Sequence, residues 1–196
     1  MKFPMLHKFT YKGRAGSLKE MSEGGPKLLF LEKFHDERGE FLESFNQGLF
    51  LQLDLPYKWA QDNLAYSKAG VIRGMHFQTV APQGKLVTCL HGSIFDVCIN
   101  LSDYSPGQAV EAYTAVLNAQ STYLESFYIP PGWAHGYLSL EDSIVAYKCT
   151  TLHNKESDAG INPMLSDIPW PEMPNGYVIS EKDSALPSLV DYLNQV

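Results

Sequence analysis

From Lys85 onward the chain is punctuated too often to hold long helices, and this limits its folds more than any other feature. Short apolar or β-branched runs follow one another: Gly92 to Leu101, Ala109 to Leu117, Thr122 to Ile129, His135 to Leu140 and Ser143 to Thr151. Their separators are residues 102–107, which include Pro106 and Gly107, then Asn118 to Ser121, Pro130-Pro131-Gly132 and Glu141-Asp142. Glycine, proline and asparagine close turns, so the pattern predicts many strands joined by turns. No βαβ rhythm and no internal repeat is present. An all-β jelly roll or sandwich with short peripheral helices is the predicted class. A hydrophobic content of 44% is enough for a folded core and argues against disorder.

The chemistry concentrates in Gly70-Val-Ile-Arg-Gly-Met-His-Phe-Gln78 and the following Gly84-Lys-Leu-Val-Thr-Cys-Leu90. These read as two strands joined by an open, Pro-containing loop. Without a bulge, strict alternation puts Val71, Arg73 and Met75 on one face, and Ile72, Gly74 and His76 on the other. Arg73, His76 and Lys85 are polar groups inside strand-forming sequence, which a strand interior rejects unless they face water or a site. Gly70 and Gly74 weaken a strand and mark a bulge or a close approach.

The rest of the chain is organised around that pair. Residues 1–26 form a patternless leader, expected to be loop with at most a helical turn. Arg14 within it reads as a solvated side chain. Residues 27–196 form one domain. Lys27 to Phe34 and Glu40 to Phe45 are strands joined by the turn Asp36-Glu-Arg-Gly39. Asn46 to Leu55 is a short helix ending before Pro56, and Lys58 to Tyr66 is extended. Residues 152–170 read as loop. Leu186, Leu189, Val190 and Leu193 fall at i, i+3, i+4 and i+7, one face of a closing helix.

Charge and cysteine usage exclude several classes. A formal net charge of −7 disfavours nonspecific nucleic-acid or anionic-membrane binding. No apolar run is long enough for a membrane span, and residues 1–8 lack a signal-peptide core. Cys89, Cys98 and Cys149 are an odd set inside apolar runs, read as buried free thiols with a cytoplasmic address. Neither a dinucleotide fingerprint nor a P-loop occurs. Just three arginines are present, Arg14, Arg38 and Arg73, which suits local capture of an anionic small ligand.

The signature stretch resembles that of the dTDP-4-dehydrorhamnose 3,5-epimerase family, whose members carry an arginine-glycine-x-histidine-phenylalanine-glutamine motif. The likeness continues through Asp36-Glu-Arg-Gly39, Gln61-Asp-Asn63, Gly84-Lys-Leu-Val87, Ile129-Pro-Pro-Gly-Trp-Ala-His-Gly136, Tyr147-Lys-Cys149 and Ser180-Glu-Lys-Asp183. These run in the family's order from about residue 28 to the end. The resemblance implies a cupin-type jelly roll, a double-stranded β-helix. It also implies cofactor-independent epimerisation at C3 and C5 of a dTDP-type 4-keto-6-deoxyhexose, in rhamnose-type, cell-surface polysaccharide biosynthesis. Alternatives are a C3-only or C5-only epimerase, a ketoisomerase on a related nucleotide sugar, or a non-catalytic sugar-nucleotide-binding cupin.

Roles then follow from the chemistry beside a ketone. A base takes a proton from one face, an acid returns one to the other, and a cation holds the enolate oxygen. By resemblance His76 is the base, Asp183 its carboxylate partner and Tyr147 the acid. Tyrosine donates well from the protonated form and can be lowered from about 10 by neighbouring cations. Lys85 and Arg73 are the candidates for the enolate oxygen and the diphosphate, and His135 supports the sugar. Phe34, Arg38, Phe41 and Glu43 match nucleotide contacts, often made across a dimer interface, although the segment also reads as a plain hairpin. Gln61 and Asn63 either read the ligand or satisfy a strand end. His153 stands where the family has an aromatic, and Gly160-Ile-Asn-Pro-Met-Leu-Ser166 also departs from its pattern. No metal is expected: metal-binding cupins offer two histidines one residue apart, and this chain has His76-Phe-Gln78. The resemblance further implies a homodimer with exchanged N-terminal strands, Lys27 to Phe34 pairing with the other subunit.

Overall fold

The structure is a computed structural model that describes residues 4–102 and 111–195. Most of the separator 102–107, the start of the strand expected from Ala109 and the first three residues of the leader lie outside them. Two antiparallel sheets face each other. The larger contains β1 (Met5–Tyr11), β2 (Arg14–Glu20), β3 (Lys27–Glu32), β6 (Gln61–Ser67), β8 (Lys85–His91), β11 (Tyr123–Ile129) and β13 (Ser143–Cys149), in the order β1-β2-β3-β11-β8-β13-β6. The smaller contains β7 (Ile72–Gln78), β9 (Ser93–Asn100), β10 (Ala112–Asn118), β12 (Trp133–Ser139) and β14 (Asp158–Gly160), in the order β10-β9-β12-β7-β14. A separate ribbon pairs β4 (Phe34–Asp36) with β5 (Gly39–Phe41). This is the jelly roll that the turn spacing predicts.

Alternation sorts the core into layers. Val87, Cys98, Phe127, Ile129, Trp133 and Val145 meet between the sheets. Helix α1 (Gln47–Gln52) lays Leu49 and Phe50 on the outer face of the larger sheet against Leu29 and Leu86. Its N-cap is Asn46, whose side chain accepts the Gly48 and Leu49 N–H groups. Helices α2 (Glu181–Ser184) and α3 (Leu189–Leu193) close the other side, where Leu189 packs with Met75, Phe77 and Val97.

Four expectations change. Residues 5–20 are a hairpin instead of a loop, and β2 pairs with β3. Its turn is Lys12-Gly13, both at positive φ (49° and 82°), the two-residue form whose twist suits a hairpin. Both edges of β3 are thereby taken within the chain, by β2 and β11, so exchange through Lys27 to Phe34 is closed. Residues 152–170 include a 3₁₀ turn (Lys155–Ser157) and β14, which extends β7. Finally, the closing helix starts at Leu189, not Leu186, and Val190 is exposed because the helix lies with one turn against the sheet.

Candidate active site

A cavity of about 540 Å³ opens between the sheets. Val71, Ile72, Arg73, His76, Lys85, His135, Tyr137 and Tyr147 line it, along with Val178 to Ser180, Lys182 and Asp183. Its floor depends on an irregularity in β7. Along β12 and β7, His135 pairs with His76 and Tyr137 with Arg73, so two steps on β12 match three on β7. The extra residue is a β-bulge, and it flips the phase of the strand. Arg73 and His76 therefore share the cavity, while Met75 turns outward into the cluster beneath α3. Strict alternation, which groups Arg73 with Met75, fails here. The bulge is packed against Gly136: a Cβ on Gly74, at φ +120°, would lie 2.5 Å from Gly136 Cα. Glycine is required on both strands.

His76 Nε2 donates to Asp183 Oδ1 at 2.7 Å. The helix α2 is capped by Ser180, whose Oγ accepts the Asp183 N–H, so the Asp183 carboxylate is free to serve His76. Burial pushes that carboxylate up. The hydrogen bond and charge of His76, with the Gly74 N–H and the Ser180 hydroxyl, outweigh it and hold the group below the usual carboxylate range. A proton fixed on Nε2 leaves the lone pair on Nδ1. The pair is therefore an oriented general base.

Lys85 Nζ donates to the His76 carbonyl at 3.3 Å. Burial holds its ammonium below the ordinary lysine value, against the pull of Cys149, Asp96 and Asp158. Tyr147 lines the same cavity from the neighbouring strand β13 of the same sheet. Burial holds its phenol above 10, reinforced by Cys149 and Tyr137 and opposed by Arg73. Burial thus outweighs the lowering that a neighbouring cation can give, and Tyr147 stays a protonated donor. Arg73 gives its Nε–H to Ser67 Oγ at 2.9 Å and an Nη2–H to the Tyr66 carbonyl at 3.1 Å.

His135 forms a second imidazole–carboxylate pair, with Nε2 2.8 Å from Asp96 Oδ1. Both residues are buried, and Asp96 Oδ2 has no hydrogen-bond partner among the described residues. Burial depresses His135, opposed by Asp96 and reinforced by Lys85 and His76.

The remaining expected ligands lie elsewhere in the chain. Phe34 and Phe41 are exposed on the β4–β5 ribbon, and Arg38 there is bound to Asp36. Glu43 is ion-paired with Arg14, whose guanidinium stacks over Phe34. Arg14 is therefore a brace between hairpin and ribbon, not a solvated side chain. Gln61 Nε2 donates to Asn63 Oδ1 at 2.8 Å, and Gln61 Oε1 accepts the His153 N–H at 2.9 Å. His153 is exposed and does not line the cavity; its Nε2 lies 3.7 Å from Asp158 Oδ1. Asp158 holds Lys182 at 2.8 Å.

Sequence reasoning missed Asp96, Tyr137, Ser67 and Lys182. Asp96 had a signal, because a carboxylate inside Ile94-Phe-Asp-Val-Cys98 is as costly there as Lys85 is in its own strand. Among the described residues, no three His, Cys, Asp or Glu side chains converge as a metal would need.

Comparison with known proteins agrees with this site. Residues 24–191 match the family model described as dTDP-4-dehydrorhamnose 3,5-epimerase. The chain is 45% identical over 164 residues to the dTDP-4-dehydrorhamnose 3,5-epimerase of Methanothermobacter thermautotrophicus, covering 81% of this chain and 86% of that one. The crystal structure of the Sulfolobus tokodaii dTDP-4-dehydrorhamnose 3,5-epimerase superposes with a TM-score of 0.78 at 33% identity, over 89% of this chain and 96% of that one. A Legionella pneumophila dTDP-6-deoxy-D-glucose-3,5-epimerase, solved in complex with dTDP-4-keto-L-rhamnose, gives 0.77 at 31% identity, over 95% and 94%.

Proposed function

The chain belongs to the dTDP-4-dehydrorhamnose 3,5-epimerase family, and from that premise we propose that it inverts C3 and C5 of a dTDP-linked 4-keto-6-deoxyhexose. It is an isomerase acting on a nucleotide sugar. The observation that carries the stereochemical reading is the oriented His76–Asp183 base on one sheet with the protonated Tyr147 on the other.

The mechanism uses the ketone's own acidity. The C4 carbonyl acidifies the C–H bonds on either side, so no redox cofactor is needed. His76 Nδ1 takes a proton, and the imidazolium is stabilised by Asp183. Lys85 holds the enolate oxygen as charge develops, with His135 beside it. Tyr147 returns a proton from the other face. Arg73 faces the diphosphate. Incubation in heavy water, followed by NMR of the product, tests this directly. Exchange and inversion at both C3 and C5 is the expected result. Inversion at one carbon alone makes the chain a monoepimerase, and binding without exchange makes it a non-catalytic cupin.

The proposal extends to assembly. Arg38, Phe34, Phe41 and Glu43 complete the nucleotide site of a second copy, with Gln61 and Asn63 of that copy opposite them. Exposure of Phe34, Arg38 and Phe41 on the β4–β5 ribbon supports this, as do exposed Leu64 and Leu90 on the larger sheet. Light scattering should report a homodimer at micromolar concentration; a fully active monomer rules it out. We place the enzyme in the cytoplasm, where buried Cys89, Cys98 and Cys149 stay reduced. No helix among the described residues is long and apolar enough to cross a membrane.

A further inference from the structure

The cavity contains a second phenol that the acid–base reading leaves without a task. Tyr137 is the cross-strand partner of Arg73, is buried, and lines the cavity. Its Oη lies 3.1 Å from Ser67 Oγ, and Ser67 Oγ is also 2.9 Å from Arg73 Nε. The direction of this string follows from what each group is able to give. A guanidinium only donates, so Ser67 is the acceptor at that end. Ser67 is buried, and its own hydroxyl hydrogen then needs an acceptor. Arg73 and Tyr137 are its side-chain partners among the described residues, and only Tyr137 accepts. Ser67 therefore donates to Tyr137, and the phenolic hydrogen of Tyr137 is left for something in the cavity.

We propose that Tyr137 is a substrate-binding residue that donates its phenolic hydrogen to a diphosphate oxygen of the nucleotide sugar, beside Arg73. The guanidinium points to the same group. Of its five N–H bonds, one goes to Ser67, one to the Tyr66 carbonyl and one leans on the Tyr137 oxygen, which leaves two for an anion among the described residues. A role as the inverting acid is excluded by position: Tyr137 shares a sheet with His76, so its proton would return to the face it came from. Burial keeps the phenol above its ordinary value, more strongly than Ser67 and Arg73 lower it, so it remains a donor.

The inference rests on the proposed nucleotide-sugar reading, and its test separates the two. Tyr137→Phe removes one oxygen and keeps the ring in the core. It should weaken dTDP binding by calorimetry about tenfold, the scale of one hydrogen bond to a charged group. KM for the nucleotide sugar should rise by a similar factor while kcat stays within about twofold. In an Arg73→Ala background, Tyr137→Phe should still weaken dTDP. No further loss there makes Tyr137 a mere support for Arg73 and overturns the contact. Unchanged dTDP affinity with raised KM places the phenol on the sugar and overturns it too, as does no change in either. A wild-type protein that fails to bind dTDP removes the underlying reading and the inference together.

Discussion

His76 and Tyr147 line one cavity from opposite sheets, His76 on β7 of the smaller and Tyr147 on β13 of the larger. Base and acid on opposite walls is what inversion at carbon demands. His76→Ala should remove solvent exchange and epimerisation together, since no carbanion forms without the base. Tyr147→Phe should reduce inversion far more than exchange, because His76 still returns its proton to the same face. General acid–base groups contribute about 10²–10⁴-fold, so both losses are measurable by NMR in heavy water. Normal exchange in His76→Ala, or wild-type inversion in Tyr147→Phe, reverses the assignment.

Asp183 acts through His76, so Asp183→Asn should resemble a weaker His76 variant. The amide keeps the size but neither fixes the Nε2 proton nor balances an imidazolium. The loss should therefore fall on kcat, with KM nearly unchanged. A rise in KM without loss of kcat would place Asp183 in ground-state binding instead.

The signals that were legible and those that were not differ physically. Strands β6 to β13 announce themselves by alternation and by Gly, Pro and Asn turns. The hairpin β1–β2 escapes that test because Lys12-Gly13 is not one of the common turn pairs, and His7, Lys8 and Thr10 break the apolar alternation. The shared face of Arg73 and His76 is invisible to any periodicity argument, since it exists only through the bulge against Gly136. Residues carried by a family motif, such as His76, Lys85, Tyr147 and Asp183, were legible and meet in one cavity. Ser67 and Tyr137 were not, because their roles are set by partners far away in sequence, and Asp96 showed only its costly place in an apolar strand, not its partner.

His135 predicts a pH dependence of stability. Burial holds its folded value below the ordinary imidazole value of about 6.5. Just below that pH the unfolded chain binds a proton that the folded chain refuses. The stability contribution is thus fully present above about 6.5 and is lost as pH falls toward the folded value. Urea midpoints measured at pH 8 and pH 5.5 should show this drop in the wild type. His135→Gln should flatten that part of the slope, and an equal slope in the variant sinks the assignment.

Lys85 gives the sharpest opposition between stability and activity. Its folded value is depressed chiefly by burial, with Cys149, Asp96 and Asp158 offsetting only part. Titratable groups from several strands stand around it: His76 on β7, Asp96 on β9, His135 on β12, Tyr147 and Cys149 on β13, and Asp158 on β14. A lysine depressed by burial is neutral in both states above about pH 10.5, so its contribution is lost as pH falls below that value, and at pH 7 the fold is less stable than with an uncharged side chain. Among the described residues its hydrogen bond is to a backbone carbonyl, and that does not replace the lost hydration. Lys85→Met keeps the chain length and removes the charge. Its Tm should rise, by about 2–4 °C for each kcal/mol recovered in a chain of this size. Its kcat should fall by about 10²–10³-fold, the scale of one lost stabiliser of an oxyanion. A variant that melts lower than wild type would mean that Asp96 and Asp158 fully compensate the buried ammonium; a variant that turns over normally would take Lys85 away from the enolate oxygen.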